Sequence, residues 1–163
     1  MNNENLKIIK YPDPLLRKKS AEVKEVTVEI KDLSQQMKRI MVQNQGVGLA
    51  APQVGILKRI IVAQTSKGLQ AMINPIILKC SQKMEVREEG CLSFPKLFLK
   101  IKRPCEIELE FLNLKGEKKK TKAQGWEARI FQHEIDHLNG ILFIDRVPFW
   151  RRWLIKYQLK FSK

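Results

Sequence analysis

Apolar residues recur at helical spacing in three places. Val26, Ile30, Leu33, Met37 and Ile40 are separated by 4, 3, 4 and 3 positions, which puts them on one face of a helix over 26–42. Asn44 to Gly48 breaks it. Trp126, Ile130, His133 and His137 are spaced 4, 3 and 4, predicting a second helix over 126–138 with Asn139-Gly140 as its stop. Trp150, Trp153, Tyr157 and Phe161 follow at 3, 4 and 4 and predict a third over 149–160, its aromatic stripe packed on the domain. Between the first two, the period changes to two. Ile107, Leu109 and Phe111 alternate with Glu106, Glu108 and Glu110, a half-buried strand over 105–112. Residues 118–123 return from a turn at Lys115-Gly116-Glu117. Segments 59–64 and 69–74 flank Ser66-Lys67-Gly68 as a hairpin, and 76–86 reads as another strand. Near the N-terminus, Tyr11-Pro12-Asp13-Pro14 reads as a turn into a short helix. No repeat or linker interrupts the pattern. The expectation is one α+β domain over 1–163, with antiparallel or mixed strands around a central helix and a helix toward each end.

Composition narrows the partners more than the fold. In 163 residues there are 31 Lys and Arg against 17 Asp and Glu, a net charge of +14, which points to an anionic polymer or surface nearby. With 8 Gly and 7 Pro the chain is neither collagenous nor of low complexity. Cys80, Cys91 and Cys105 are too few for a disulfide framework and suit a reducing compartment. The N-terminus lacks the apolar stretch of a secretory signal, and no apolar run is long enough to span a bilayer. The expected location is the cytoplasm.

The chemistry concentrates in His133-Glu134-Ile135-Asp136-His137. Histidines four apart share one helical face, so both imidazoles reach one metal ion and Glu134 lies beside its open position. They are the only 2 histidines in the chain. A catalytic site needs a third protein ligand. Downstream of Gly140 the only acid is Asp145, and upstream Cys91 lies in Glu88-Glu89-Gly90-Cys91-Leu92-Ser93-Phe94-Pro95, a bent, edge-like segment able to present a thiolate. Taken alone, Cys91 also reads as a small buried hydrophobe, as do Cys80 and Cys105. A third stretch, Gly46-Val47-Gly48-Leu49-Ala50-Ala51-Pro52-Gln53-Val54-Gly55, is no phosphate loop. Its glycines allow close backbone approach, and Gln53 is an amide donor suited to an oxyanion. Three other readings compete: a metal-free hydrolase with Cys91 as nucleophile and His133 as base, a zinc peptidase, and a basic ribosome-binding protein without activity.

Together and in this order, GVGLAAPQVG, EEGCLSFP and QHEIDHLNG closely resemble the peptide deformylase family, and the likeness runs from Ile8 to Phe143. The resemblance implies hydrolysis of the formyl group from the N-terminal formylmethionine of new polypeptides, with formate released. It implies one divalent metal held by Cys91, His133 and His137: Fe2+ in the cell, with Zn2+, Ni2+ or Co2+ able to replace it. Glu134 is then the general base and acid, and the Gln53 side chain and Leu92 N–H form the oxyanion hole. Val47, Gly48 and Gly90 pair with the substrate backbone. Trp126, Ile130 and the stem of Arg129 shape the methionine pocket, and Glu89 with Arg103 is the supporting acid–base pair. One departure is that 96–100 lacks the arginine some members place near substrate. The basic tail, Arg146, Arg151, Arg152, Lys156, Lys160 and Lys163, is expected to contact ribosomal RNA. The chain is expected to act as a monomer.

Overall fold

A computed structural model describes residues 6–161, with the backbone alone for 158, 160 and 161. Lys163 and the side chains of Lys160 and Phe161, which the sequence reading invoked, lie outside the described residues. The elements in chain order are α1 (Val28–Gln43), β1 (Gly48–Ala50), β2 (Ile60–Thr65), β3 (Gly68–Cys80), β4 (Met84–Cys91), β5 (Phe94–Pro104), β6 (Glu106–Leu112), β7 (Lys118–Gln124), α2 (Gly125–Leu138) and α3 (Phe149–Phe161). A 3-10 turn over Pro14–Arg17 fills the expected short helix, capped where Asp13 Oδ1 accepts from the Leu15 amide at 2.8 Å.

One antiparallel sheet runs β1-β2-β3-β6-β7, and β4 with β5 forms a separate two-stranded sheet. Among the described residues one isolated bridge joins other segments, Ala21 with Lys58, and it is parallel. Three apolar clusters hold the layers together. Ile61, Met72, Leu109, Phe131, Ile135 and Leu138 fill the space between the large sheet and α2. Ile30, Met37 and Met41 bring α1 onto Leu49, Ile60 and Val62. Leu99, Ile101, Phe94 and Phe143 close the β4–β5 side. Burying Leu, Ile, Phe and Met side chains contributes roughly 1.5–3 kcal/mol each, so the stripes read from sequence supply the folding drive.

Two strand expectations are corrected. The strand predicted over 76–86 is divided between β3 and β4. Asn74 takes φ 52°, and the ladder to β6 shifts register between Ile73 and Ile76, so β3 bends and continues to Cys80. The Asn74 side chain holds that bend, accepting from the Val23 amide and donating to the Val23 carbonyl at 2.9 and 2.8 Å. Strand β5 was not anticipated. Its buried Leu99, Ile101 and Arg103 do alternate with exposed Phe98, Lys100 and Lys102, but an arginine on the inward face and a phenylalanine on the outward face obscure the period. Cys80, expected inside, is exposed at the end of β3, and all three cysteines are free.

The C-terminal helix also departs from expectation. Helix α3 packs through Ile155, 5% exposed, and Leu159, not through its aromatic stripe. Trp150, Trp153 and Tyr157 are 58%, 64% and 57% exposed. Arg152 turns inward and donates to the Asp145 carbonyl at 2.8 Å. A period near 3.6 fits both stripes, so periodicity alone could not say which one meets the core.

Candidate metal centre and active site

From Ala128 to Leu138 every residue of α2 is buried, six of them polar: Arg129, Gln132, His133, Glu134, Asp136 and His137. Buried polar groups demand partners, and tracing those partners outlines the site. Gly140, with φ 71°, ends the helix beside the backbone of Arg17; a Cβ there would fall 2.3 Å from the Arg17 carbonyl oxygen. Glycine therefore permits the close chain return that seals this end of α2.

His133 and His137 present their rings side by side, centroids 5.1 Å apart. Cys91 arrives from the end of β4, where the ladder to β5 slips: Gly90 pairs with Phe98 but Cys91 with Phe94. The bulge turns the thiol toward α2, and Cys91 Sγ lies 3.2 Å from His137 Nε2. One donor atom from each of Cys91, His133 and His137 falls within 4.8 Å of the others. His133 Nδ1 is engaged by Glu89 Oε2 at 3.0 Å, which leaves Nε2 as its ligand atom. One sulfur and two imidazole nitrogens fit a divalent transition metal with an open position. An unsatisfied atom beside them agrees: Glu134 Oε2 is buried without a protein partner.

Behind the ligands is a cluster of buried charges. Glu89 accepts from Arg103 at 2.7 and 3.0 Å and from Arg129 at 2.6 Å. Burial alone would raise the Glu89 carboxyl, but its bonds to His133 and Arg103 outweigh that and lower it to about 2. Arg103 also donates to Asp136 at 2.8 Å, and Arg146 clamps the same carboxylate. Arg129 ends on Glu89 and on the carbonyls of Ile101 and Glu85 at 3.0 and 2.9 Å. Desolvating so many charges is costly; here the cluster fixes the ring of His133.

Glu134 differs from these carboxylates. Desolvation dominates, and its carboxyl is pushed up to about 7, where a group can both take and give a proton near neutral pH. Gln53 is held from both ends. Its Oε1 accepts from the Ala50 amide at 2.8 Å, and its Nε2 faces Ser93 Oγ at 3.2 Å and Cys91 Sγ at 3.5 Å. A cavity of about 500 Å³ opens over the cluster. Val47 and Gly48 line one side, Gly90 and Leu92 the other, with Ile130 and the side chain of Arg129 between them. Strands β1 and β4, which carry Gly48 and Gly90, each stand at an edge of their sheet. Trp126 was expected to follow the core stripe inward. It lines the cavity mouth instead, 48% exposed, because it occupies the first turn of α2, before the helix enters the core.

Every residue singled out from the three motifs thus borders one cavity or the three-donor cluster. Sequence reasoning missed Asp136 and Ser93 and placed Arg146 only in the basic tail; no local signal marked them, because their partners lie elsewhere in the chain.

The chain matches the family model described as polypeptide deformylase over residues 5–153, a match that ends inside α3. The curated peptide deformylase of Halothermothrix orenii is 49% identical over 144 residues, covering 87% of this chain and 93% of that protein. That of Thermotoga maritima is 44% identical over 149 residues, 91% of each. Among solved structures, a peptide deformylase from Ehrlichia chaffeensis in complex with actinonin superposes with a TM-score of 0.89 at 40% identity, covering 97% of this chain and 98% of that one.

Proposed function

The chain belongs to the polypeptide deformylase family, whose members remove the formyl group from N-terminal methionine, and we propose that Cys91, His133 and His137 hold its metal while Glu134 moves the protons. The approach of the three donor atoms to within 4.8 Å, beside the unpartnered Glu134, is the observation that carries this reading. The ion is Fe2+ in the cell, with Zn2+, Ni2+ or Co2+ able to take its place, a set that thiolate and imidazole donors accommodate. When bound, the ion supplies a Lewis acid and brings water toward ionisation near neutral pH.

The chain's own residues do the rest. A formyl-Met peptide enters as an added strand between the edges at Gly48 and Gly90. The Val47 carbonyl is already held by the Gln64 amide at 2.8 Å, so Val47 offers its N–H. The methionine side chain fills the space bounded by Trp126, Ile130 and the stem of Arg129. Gln53 Nε2 and the Leu92 N–H meet the charge that develops on the formyl oxygen; oriented donors of this kind contribute about 3–4 kcal/mol to a transition state. Glu134 takes a proton from the attacking water and delivers it to the leaving amine, and formate departs. Metal content and formate release test the assignment. Cys91→Ala, His133→Ala and His137→Ala should each lose metal, while Glu134→Ala keeps it and loses turnover. Full metal occupancy in Cys91→Ala refutes the ligand set.

The finer setting is part of the same reading. One chain supplies every group named above, which supports a monomer, and the nascent formyl-Met chains it would act on support a cytoplasmic location. The +14 charge suits an encounter with ribosomal RNA where nascent chains emerge. Among the described side chains of the tail, the exposed cations open to such a contact are Arg151 and Lys156, since Arg146 and Arg152 are engaged by Asp136 and the Asp145 carbonyl. Cosedimentation with ribosomes at two salt concentrations, compared with Arg151→Glu/Lys156→Glu, tests the contact.

A further inference from the structure

Helix α3 presents to solvent a face that neither catalysis nor phosphate binding explains. Phe149, Trp150, Trp153 and Leu154 are 81%, 58%, 64% and 46% exposed. Tyr157 stacks on Trp153, ring centroids 5.8 Å apart, and extends the same surface. At about 100° per residue, this arc centres opposite Ile155 and Leu159, the positions that pack on the domain. Aromatic side chains of this size carry roughly 150–250 Å² each. The arc therefore exposes apolar surface on the order of 500 Å², at the upper end of what a monomer shows in one patch.

Among the described side chains, charge flanks this arc; position 160, a lysine in sequence, falls on the same helical face as Trp153 and Tyr157, toward the helix end. Arg151 lies on one flank and Lys156 on the other, both exposed, and the helix sequence FWRRWLIKYQLKF contains no carboxylate. Among the described residues no helix is long and apolar enough to cross a membrane. An apolar centre with cations on both flanks, lying along a protein surface, is the arrangement of a helix that rests in a bilayer interface. We propose that the outward face of α3 is a reversible docking surface for an anionic lipid bilayer. The Trp150 and Trp153 rings seat at headgroup depth, with Arg151 and Lys156 against lipid phosphate. Arg151 and Lys156 suit the phosphate of RNA and of lipid alike; the apolar arc between them is what distinguishes the two, since Phe149 and Leu154 offer nothing that a backbone of phosphates would bind. The proposal goes beyond the catalytic reading and does not depend on it.

Vesicle binding by the full chain tests it, using phosphatidylcholine with and without phosphatidylglycerol. The protein should cosediment with the anionic vesicles, less so at high salt, and brominated lipid should quench its tryptophan emission. Trp150→Ser/Trp153→Ser should weaken binding at least about tenfold while formate release from a short formyl-Met peptide stays within about twofold, since neither side chain lines the cavity. Phe149→Ser/Leu154→Ser should weaken it several-fold and keeps both tryptophans, so it stands if the first variant folds poorly. Equal binding of the wild type and both variants, without quenching, means adsorption by net charge and overturns the proposal. So does an absence of vesicle binding, or a preference for an RNA oligonucleotide over anionic vesicles, which returns the tail to the ribosomal contact.

Discussion

Gly48→Ala displaces Glu134 without altering it. Gly48 lies in β1 against the carboxylate: a Cβ built on it falls 2.4 Å from Glu134 Oε1 and 2.9 Å from Cδ and Cγ. Ordinary contact begins at 3.4 Å, so the carboxylate must retreat by about 1 Å. The Glu134 side chain can rotate that far, so the fold should survive. Replacing glycine in an extended segment also stabilises by roughly 0.4–1 kcal/mol through the unfolded chain, which offsets part of the crowding, and the thermal midpoint should move little. Catalysis tolerates the displacement poorly. A misplacement of about 1 Å costs on the order of 100-fold in rate, or about 2.7 kcal/mol of transition-state stabilisation. Coupled formate detection, with metal content measured on the same preparations, should show kcat down about 100-fold at unchanged metal. Gly90→Ala is the control: its Cβ meets the Phe98 ring at 2.7 Å, but Phe98 is 62% exposed and can swing away, so its kcat should fall by no more than several-fold. Wild-type kcat in Gly48→Ala at full metal loading would refute Glu134 as the proton carrier. Loss of metal would mean that the glycine supports the ligands instead.

Removing Arg103 should be the most damaging single change to stability outside the apolar clusters. Arg103→Met strips one partner from each of two buried carboxylates, Glu89 and Asp136, and urea unfolding should show a loss of about 3 kcal/mol. Asp145 contributes a pH dependence. Burial works to raise its carboxyl, but hydrogen bonds from Arg17 and the Leu142 amide outweigh it and hold it below the ordinary 3.8. A carboxyl depressed by folding stabilises above its unfolded value, and that stability is lost as pH falls through the folded value. Below about pH 4 the thermal midpoint of the wild type should therefore fall more steeply than that of Asp145→Asn. The Fe2+ enzyme should lose formate release in air faster than the Ni2+ enzyme, because a thiolate beside ferrous iron oxidises readily; equal lifetimes would contradict the Cys91 ligand.

Legibility from sequence followed how locally each feature was encoded. Helices α1 and α2 and the β2–β3 and β6–β7 hairpins were readable because each carries its own period and its own stop, such as Gly140 after α2 or Gly116, φ 80°, between β6 and β7. His133, Glu134 and His137 were readable because one helical turn brings them together. Cys91 is 42 positions upstream of His133, and its placement depends on a register slip between β4 and a strand the sequence did not announce. By elimination it was a candidate third ligand beside a reading as a small buried hydrophobe, and the resemblance chose between the two. Helix α3 failed in another way. Its two stripes, Ile155 with Leu159 and the aromatics opposite, have the same period, and the larger aromatic stripe was assigned to the core on hydrophobicity alone.

The buried charges of α2 show why such features resist a linear reading. Asp136 lies between the two metal-side histidines in the motif, yet it points to Arg103 and Arg146, residues 33 positions before it and 10 after it. In sequence it looks like a solvent-facing acid on an amphipathic helix. It is buried because β5 covers the face of α2 that periodicity would leave to water, and β5 carries Arg103 on its inward side between Ile101 and the strand end. The helix can be polar and enclosed at once only because each inward arginine meets a carboxylate. That pairing also sets the chemistry of the site. Glu89, with two arginines and His133 around it, is held charged at about 2, while Glu134, in the same interior but without an arginine within hydrogen-bonding reach, is pushed up to about 7. Two glutamates beside one histidine thus take opposite roles, one fixing a ligand and one carrying protons, and the arginines that β5 and α2 deliver decide which is which.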